Sequence, residues 1–439
     1  MRRAALLAVA LTVVLAGCTG PFLGHPEEPR GGDAIGWENG YWYDDPVDVT
    51  TDDGLNESEL EAVTARQMAR IERIRDREFQ STVPVEVISR AEYRNRSRPG
   101  GSAGPGGDPW NDQVWEALLL VGESTGSDDA ISDTRSSAVL GYYSPSQDQI
   151  VIVSDSETPL VSRSTLAHEL VHALQDQQFG LTGTPRTQDT QLSRNGVVEG
   201  EANYIQGAYQ QSCEQNWDCI PMPEASGGGG GGSSGRNAGV FTVIIHPYVS
   251  GPRFVDSVYS DGGWDAVDAL HDDKPASTEQ VIHPERYPDE EPVEVRVADR
   301  SNAEWDRFDH DPVGDTVGEA SIFATMYHNG QTDADRYSYR STPSEGWAGD
   351  TVVPYRNDTG AGGYVWESQW DSTRDAREFA DAYRAALVEE HGATSEGNVY
   401  VVPDGEFADA FRITRSGDTV RIVNGPTVDD LEDIHRAGG

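Results

Sequence analysis

Ala167-His168-Glu169-Leu170-Val171-His172-Ala173 lies within a run from about Ser162 to Gln178 in which Leu166, Leu170 and Leu174 recur every fourth residue. That period predicts a helix with one apolar stripe. On a helix, side chains four apart are about 40° apart around the axis, so His168 and His172 can reach one metal ion while Glu169 points beside it. The competing reading is two histidines satisfied at a helix surface.

A catalytic zinc site needs a third protein ligand besides two imidazoles, and an open position for water. Val197-Val198-Glu199-Gly200-Glu201-Ala202-Asn203, in a second helix expected from about Gln191 to Gln211, offers one, with Glu199 twenty-seven positions after His172. These two segments resemble the gluzincins, zinc peptidases with HExxH on one helix and a ligand Glu, often in an E-x-x-A context, on the next. The resemblance implies that Glu199 is the ligand, with Ala202 as the small residue at +3. Glu201 points about 200° away on the same helix. The spacing is longer than is usual in that family. The metzincin pattern fails, because residues 175 and 178 are Gln and no third His follows. Two further residues are expected to orient the histidines: Asn203, four after Glu199, where thermolysin-like members carry Asp, and Asp176, four after His172. Pro247-Tyr248-Val249-Ser250-Gly251 is similar to the Y-x-x-G segment of gluzincin aminopeptidases, which implies that the Tyr248 hydroxyl stabilises an oxyanion; the alternative is a buried structural tyrosine. His246 and His283 are further cleft candidates, against a reading as turn residues beside a proline.

The order HELVHALQDQ, VVEGEA, PYxxG, STEQxxHPERY and Gly346-Trp347-Ala348-Gly349-Asp350 also resembles a family of haloarchaeal surface proteins, which carries over no substrate. Together the resemblances imply one Zn²⁺ held by His168, His172 and Glu199, Glu169 as general base, and a peptide or protein substrate. The strand near Gln149 to Val153 is expected to pair an extended peptide along its edge. From a different class comes a non-catalytic zinc-containing surface lipoprotein with a binding or structural role. Glu169 discriminates, since a purely structural site has no use for a base beside the metal.

Compartment is read from the N-terminus and from charge. Met1-Arg2-Arg3, the apolar run Ala4 to Ala16 and Leu15-Ala16-Gly17-Cys18 read as an export signal over residues 1–17, whose Arg2-Arg3 also fits the twin-arginine route, closed by a lipobox-like tetrapeptide that implies a lipid on Cys18. The run is too short for a retained spanning helix, which needs about 20 apolar residues. The expected place is therefore the outer face of the membrane. The formal charge is -42, and Lys274 is the sole lysine. Self-repulsion of that size weakens a compact fold in dilute buffer, whereas 1 M salt shrinks the Debye length to about 3 Å, so the charge points to life in concentrated salt and argues against nucleic acid as a partner. Cys213 and Cys219 form an even pair in a non-cytosolic compartment, and a disulfide is expected.

The fold class expected is α+β: a gluzincin-like core of antiparallel or mixed sheet plus zinc-binding helices, with a C-terminal α+β segment. A tether spans 18–36, the metalloprotease-like domain 37–335 with a Gly-rich loop at 221–239, and the C-terminal segment 336–439. Helices are expected over Leu55 to Glu78 and Asp375 to Val388, a strand at Val83 to Arg90, and a hairpin joining Val139-Leu-Gly-Tyr-Tyr143 to Gln149-Ile-Val-Ile-Val153. Patterned segments resume at Tyr248 to Leu270, Val293 to Val297 and Asp315 to His328.

Overall fold

A computed structural model describes residues 34–49, 53–96, 107–136, 140–156, 159, 161–181, 183–221 and 236–436. The signal, Cys18, most of the tether and most of the Gly-rich loop fall outside them. In chain order come β1 (Trp37–Glu38), β2 (Tyr41–Trp42), α1 (Glu57–Arg75), β3 (Val85–Ile88), α2 (Arg90–Arg96), α3 (Pro109–Ala117), α4 (Ser127–Ser136), β4 (Gly141–Ser144) and β5 (Gln149–Val153). Four helices then follow: α5 (Arg163–Phe179), α6 (Gln188–Gln215), α7 (Ala238–Asp272) and α8 (Thr278–Ile282). The last part holds β6 (Trp305–Arg307), α9 (Gly318–His328), β7 (Trp347–Asn357), β8 (Gly362–Trp370), α10 (Thr373–Ala385), β9 (Thr394–Glu396), β10 (Val399–Val401), β11 (Ala410–Ser416), β12 (Thr419–Gly425) and α11 (Asp430–Ile434).

The fold is mixed α+β. Seven strands in the order β6-β7-β8-β12-β11-β10-β9 form a sheet that is antiparallel throughout. A smaller sheet has the order β3-β5-β4, with β3 parallel and β4 antiparallel to β5. The large sheet begins at β6, well before residue 336, so the segment read as the metalloprotease-like domain supplies its first strand.

One core seats the stripe Leu166, Leu170 and Leu174 of α5 against Met68 of α1, Ile150 of β5 and Ile205 of α6. A second packs Trp347, Trp366 and Trp370 of the large sheet against Phe379 and Tyr383 of α10, and reaches Val240 and Val243 of α7. These apolar contacts fix where α5, α6 and α7 lie. The closest approach is between α6 and α7, where a Cβ on Gly200 would sit 2.5 Å from the Gly251 carbonyl carbon and one on Gly251 would sit 2.3 Å from the Gly196 oxygen. Only hydrogen fits at that crossing, while Ala202 is fully buried in the core that α6 shares with α5.

Three local expectations are corrected. Val293 to Val297 forms no strand: Val293 N–H donates to the Ala348 carbonyl at 2.8 Å, but the segment makes no ladder. Helix α7 starts ten residues before Tyr248 and carries Pro247 and Pro252 inside it, with a kink at Gly263. Finally, β5 is the central strand of its sheet, so among the described residues the edge strand beside α5 is β4, not Gln149 to Val153. Cys213 and Cys219 pair as expected, closing the end of α6 onto the next loop. No helix among the described residues is long and apolar enough to cross a membrane.

Candidate metal centre

Helix α5 begins at Ser162, whose hydroxyl accepts from Thr165 N–H at 3.3 Å, and delivers two imidazoles to one point. His168 Nε2 and His172 Nε2 lie 3.1 Å apart, and Glu199 Oε2 of α6 lies 3.1 Å from the first and 3.4 Å from the second. Zinc bonds of about 2.0–2.2 Å in tetrahedral geometry set neighbouring ligand atoms about 3.3–3.6 Å apart, so this triangle is within a few tenths of an ångström of one face of a zinc site. Burial opposes a charge on Glu199, yet the imidazoles beside it hold its carboxyl well below the usual range. Burial likewise opposes a charge on His172, and Glu199 pushes it up to about 9. The field at that point favours positive charge.

The ring nitrogens facing away from the triangle are held by amides. His168 Nδ1 is 3.1 Å from Gln206 Oε1, and His172 Nδ1 is 3.0 Å from Gln175 Oε1. Gln175 donates its own N–H groups to the Val198 carbonyl at 3.0 Å and to Glu201 Oε2 at 2.7 Å, so its oxygen must be the acceptor and His172 must carry its proton on Nδ1. That leaves Nε2 bare toward the metal position. The two residues expected to do this do something else. Asp176 accepts from the Tyr143 hydroxyl at 2.9 Å and from Leu181 N–H at 2.7 Å, while Asn203 donates to the Glu199 carbonyl at 2.9 Å.

Glu201 is 1 % exposed and stands away from the triangle, accepting from Arg75 Nε at 2.5 Å, His271 Nε2 at 2.7 Å and Gln175. Against burial, His271 and Arg75 pull its carboxyl down to about 2. It links α1, α5, α6 and α7 and touches the site only through Gln175.

Glu169 lies beside the triangle and lines the cleft; its Oε2 accepts from the Tyr143 N–H of β4 at 2.8 Å. Burial raises its pKa, opposed by His172 and His168. Tyr248 of α7 stacks its ring on His168, centroids 6.3 Å apart, leaving it 44 % exposed with its hydroxyl end in the field of Glu199. The α6–α7 glycine crossing puts it there, since Gly200 follows Glu199 and Gly251 comes three after Tyr248. The cleft measures about 1060 Å³ and carries Trp110, Trp115, Ile131, Arg135 and Phe241 on its walls. His246 and His283 are not in it. His246 is fully buried edge-on to Tyr339 with neither ring nitrogen partnered, and burial drives its pKa down to about 3. His283 Nε2 pairs with the buried Glu319 at 3.1 Å.

A family described as a domain of unknown function (DUF8575) matches residues 306–435, the part of the chain that carries the large sheet. No curated protein and no solved structure matches the chain.

Proposed function

We propose that this chain is a zinc metallopeptidase of the gluzincin type, exported and held at the outer face of the cell membrane by a lipid on Cys18. The observation that carries the reading is the triangle of two Nε2 atoms and one carboxylate oxygen with a buried, non-ligating Glu169 at its flank. His168, His172 and Glu199 would hold the ion, and the amides of Gln206 and Gln175 fix the imidazoles in the ligating tautomer. Zn²⁺ supplies Lewis acidity toward a scissile carbonyl and acidifies water. Glu169 accepts the water's proton: burial has raised its proton affinity, the Tyr143 amide anchors Oε2, and Oε1 remains to take the proton and pass it to the leaving amine. Tyr248, with its hydroxyl protonated throughout the working pH range, donates to the developing oxyanion. The cleft and the edge of β4 at Gly141, which lines it, suit an extended peptide.

The test is metal content and peptide-library hydrolysis, both in molar KCl, for wild type and Glu169→Gln. One zinc per chain in both proteins, with turnover about 10²- to 10⁴-fold lower in the variant, is the expected result. Wild type that binds zinc and cleaves nothing sinks the peptidase reading and leaves a zinc-binding surface lipoprotein.

A further inference from the structure

Away from the zinc centre, three carboxylates meet where α3 and its following loop press against the large sheet. Glu116 of α3, Glu123 of the loop and Asp409 beside β11 each offer an oxygen within 4.8 Å of the others. Crowded acids are ordinary in so acidic a chain. What separates this cluster is that some buried oxygens in it and beside it have no donor. Glu116 is 3 % exposed; its Oε2 accepts from Gln113 Nε2 at 2.8 Å, but Oε1 is buried without a partner. Fully buried Asn424 of β12 donates Nδ2 to Asp409 Oδ2 at 2.8 Å, and the Oδ1 of the same amide has no partner. Gln113 Oε1, on the same amide that bonds Glu116, is a third orphan. The phenols that couple to Glu116 have their protons elsewhere: Tyr383 donates to the Ala117 carbonyl at 3.0 Å, and the Tyr364 hydroxyl lies 3.2 Å from that of Tyr383.

Buried acceptors without donors are costly, and carboxylates in contact more so, unless a positive charge lies among them. We propose that Glu116, Glu123 and Asp409, with the side-chain oxygen of Asn424, hold a hard divalent cation, Ca²⁺, that ties α3 to the large sheet. All the donors are oxygens and three are anionic, the set that hard cations take; Ca²⁺ accepts six to eight such ligands in irregular geometry, whereas Mg²⁺ demands a near-ideal octahedron. Glu123 is exposed, which leaves a route for the ion and for water to complete its shell. The loop is already set: Glu123 N–H donates to the Glu406 carbonyl at 3.0 Å, and a Cβ on Gly122 would fall 2.3 Å from that of Glu406, so the loop lies directly on the segment leading to Asp409. Burial, with Glu123's charge nearby, pushes Asp409 up to about 7, as expected where a positive charge is wanted.

The experiment titrates CaCl₂ into the full chain carrying one equivalent of zinc, in molar KCl so that diffuse attraction to the acidic surface is screened. Calorimetry is expected to show one saturable Ca²⁺ per chain, and the melting temperature to rise with Ca²⁺ concentration. Glu123→Gln, at an exposed position that leaves the fold intact, should weaken Ca²⁺ at least tenfold without changing zinc content, and Asp409→Asn should abolish the site. The proposal is overturned if no saturable Ca²⁺ site is found, which leaves a proton shared between Glu116 and Asp409, or if both variants bind Ca²⁺ as wild type does. Mg²⁺ binding more tightly than Ca²⁺ would overturn the choice of ion.

Discussion

The helices that present His168, His172 and Glu199 bury charge, whereas the seven-stranded sheet buries aromatic rings. Along α1, Arg66, Arg70, Glu72 and Arg75 are all buried, and Arg75 meets Glu201, which also takes His271 and Gln175. In the sheet, Trp347, Trp366, Trp370, Tyr355 and Tyr364 are fully buried, and Asp350 is the acid among them, accepting from the Trp347 and Trp366 indoles at 3.0 Å each and from the first N–H groups of α9. A buried charge must be matched atom by atom, so a network of them specifies geometry to a fraction of an ångström. A ring core fixes position by shape and volume, and tolerates small shifts. The proposed zinc centre needs the first kind of support and the large sheet supplies the second.

The sharpest way to break that contrast is to remove one member from each side. Glu201→Ala takes from buried His271 its carboxylate and leaves Arg75 with Asp268 alone, and should cost about 3–5 kcal/mol of stability. It should also weaken zinc, since Gln175 loses the acceptor that orients it toward His172. Trp366→Ala should cost a similar about 3–5 kcal/mol by opening a cavity, with zinc affinity unchanged. Denaturant unfolding and zinc titration of both variants decide it; equal zinc affinity in the two would mean that the charge network does not act on the metal.

A smaller effect isolates the hydrogen bond to one ligand. Gln206→Ala removes the acceptor on His168 Nδ1 and should weaken zinc about 10- to 100-fold while barely moving stability, because Gln206 is only partly buried. A competitive chelator titration measures this, and an unchanged zinc affinity would assign the tautomer of His168 to something other than Gln206.

The candidate ligands were legible in the sequence because helical period places residues 168 and 172 on one face, and because the gluzincin resemblance picks out Glu199, whose face Glu201 cannot share. Their supporting residues were not. Gln175 lies three after His172 and Gln206 seven after Glu199, and a glutamine on a helix carries no sign of which way its amide is turned. An acid at i+4 was the more visible guess, and it failed because Asp176 is taken by Tyr143 of β4, a partner that only the tertiary fold brings near. Tyr248 was found through its glycine, but the cause is mutual: Gly251 and Gly200 need each other across two helices. Pro247 and Pro252 hid the first ten residues of α7, since proline usually marks a helix boundary, and here the packing of α7 along α6 overrides it. The alternation at Val293 to Val297 misled in the opposite sense, a strand period that meets β7 at Ala348 and builds no ladder there.

The least expected effect concerns the seam between the two regions. There Asp189, in the first turn of α6, accepts from Thr278 N–H at 2.9 Å and Oγ1 at 2.6 Å, and Asp315, just before α9, accepts from Gln188 N–H at 2.8 Å. Burial pushes both carboxyls up to about 7 from an ordinary 3.8. The folded chain therefore keeps protons that the unfolded chain has already released, so these two groups contribute stability fully below about pH 4 and lose it as the pH rises through about 7. Exposed carboxyls titrate near pH 4 and are spent before pH 5, so between pH 5 and 8 the carboxyl response comes from buried groups, these two together with Asp350 and Asp409. In molar KCl the melting temperature is expected to fall across that range, and Asp189→Asn, which keeps an oxygen for both Thr278 donors and never ionises, should reduce the fall by about 2–4 °C. Calorimetric scans of wild type and variant at each pH measure it. If the two curves run parallel, Asp189 is ionised in the folded chain and the seam holds its charge as the zinc-side helices do, which would erase that part of the contrast between the two regions.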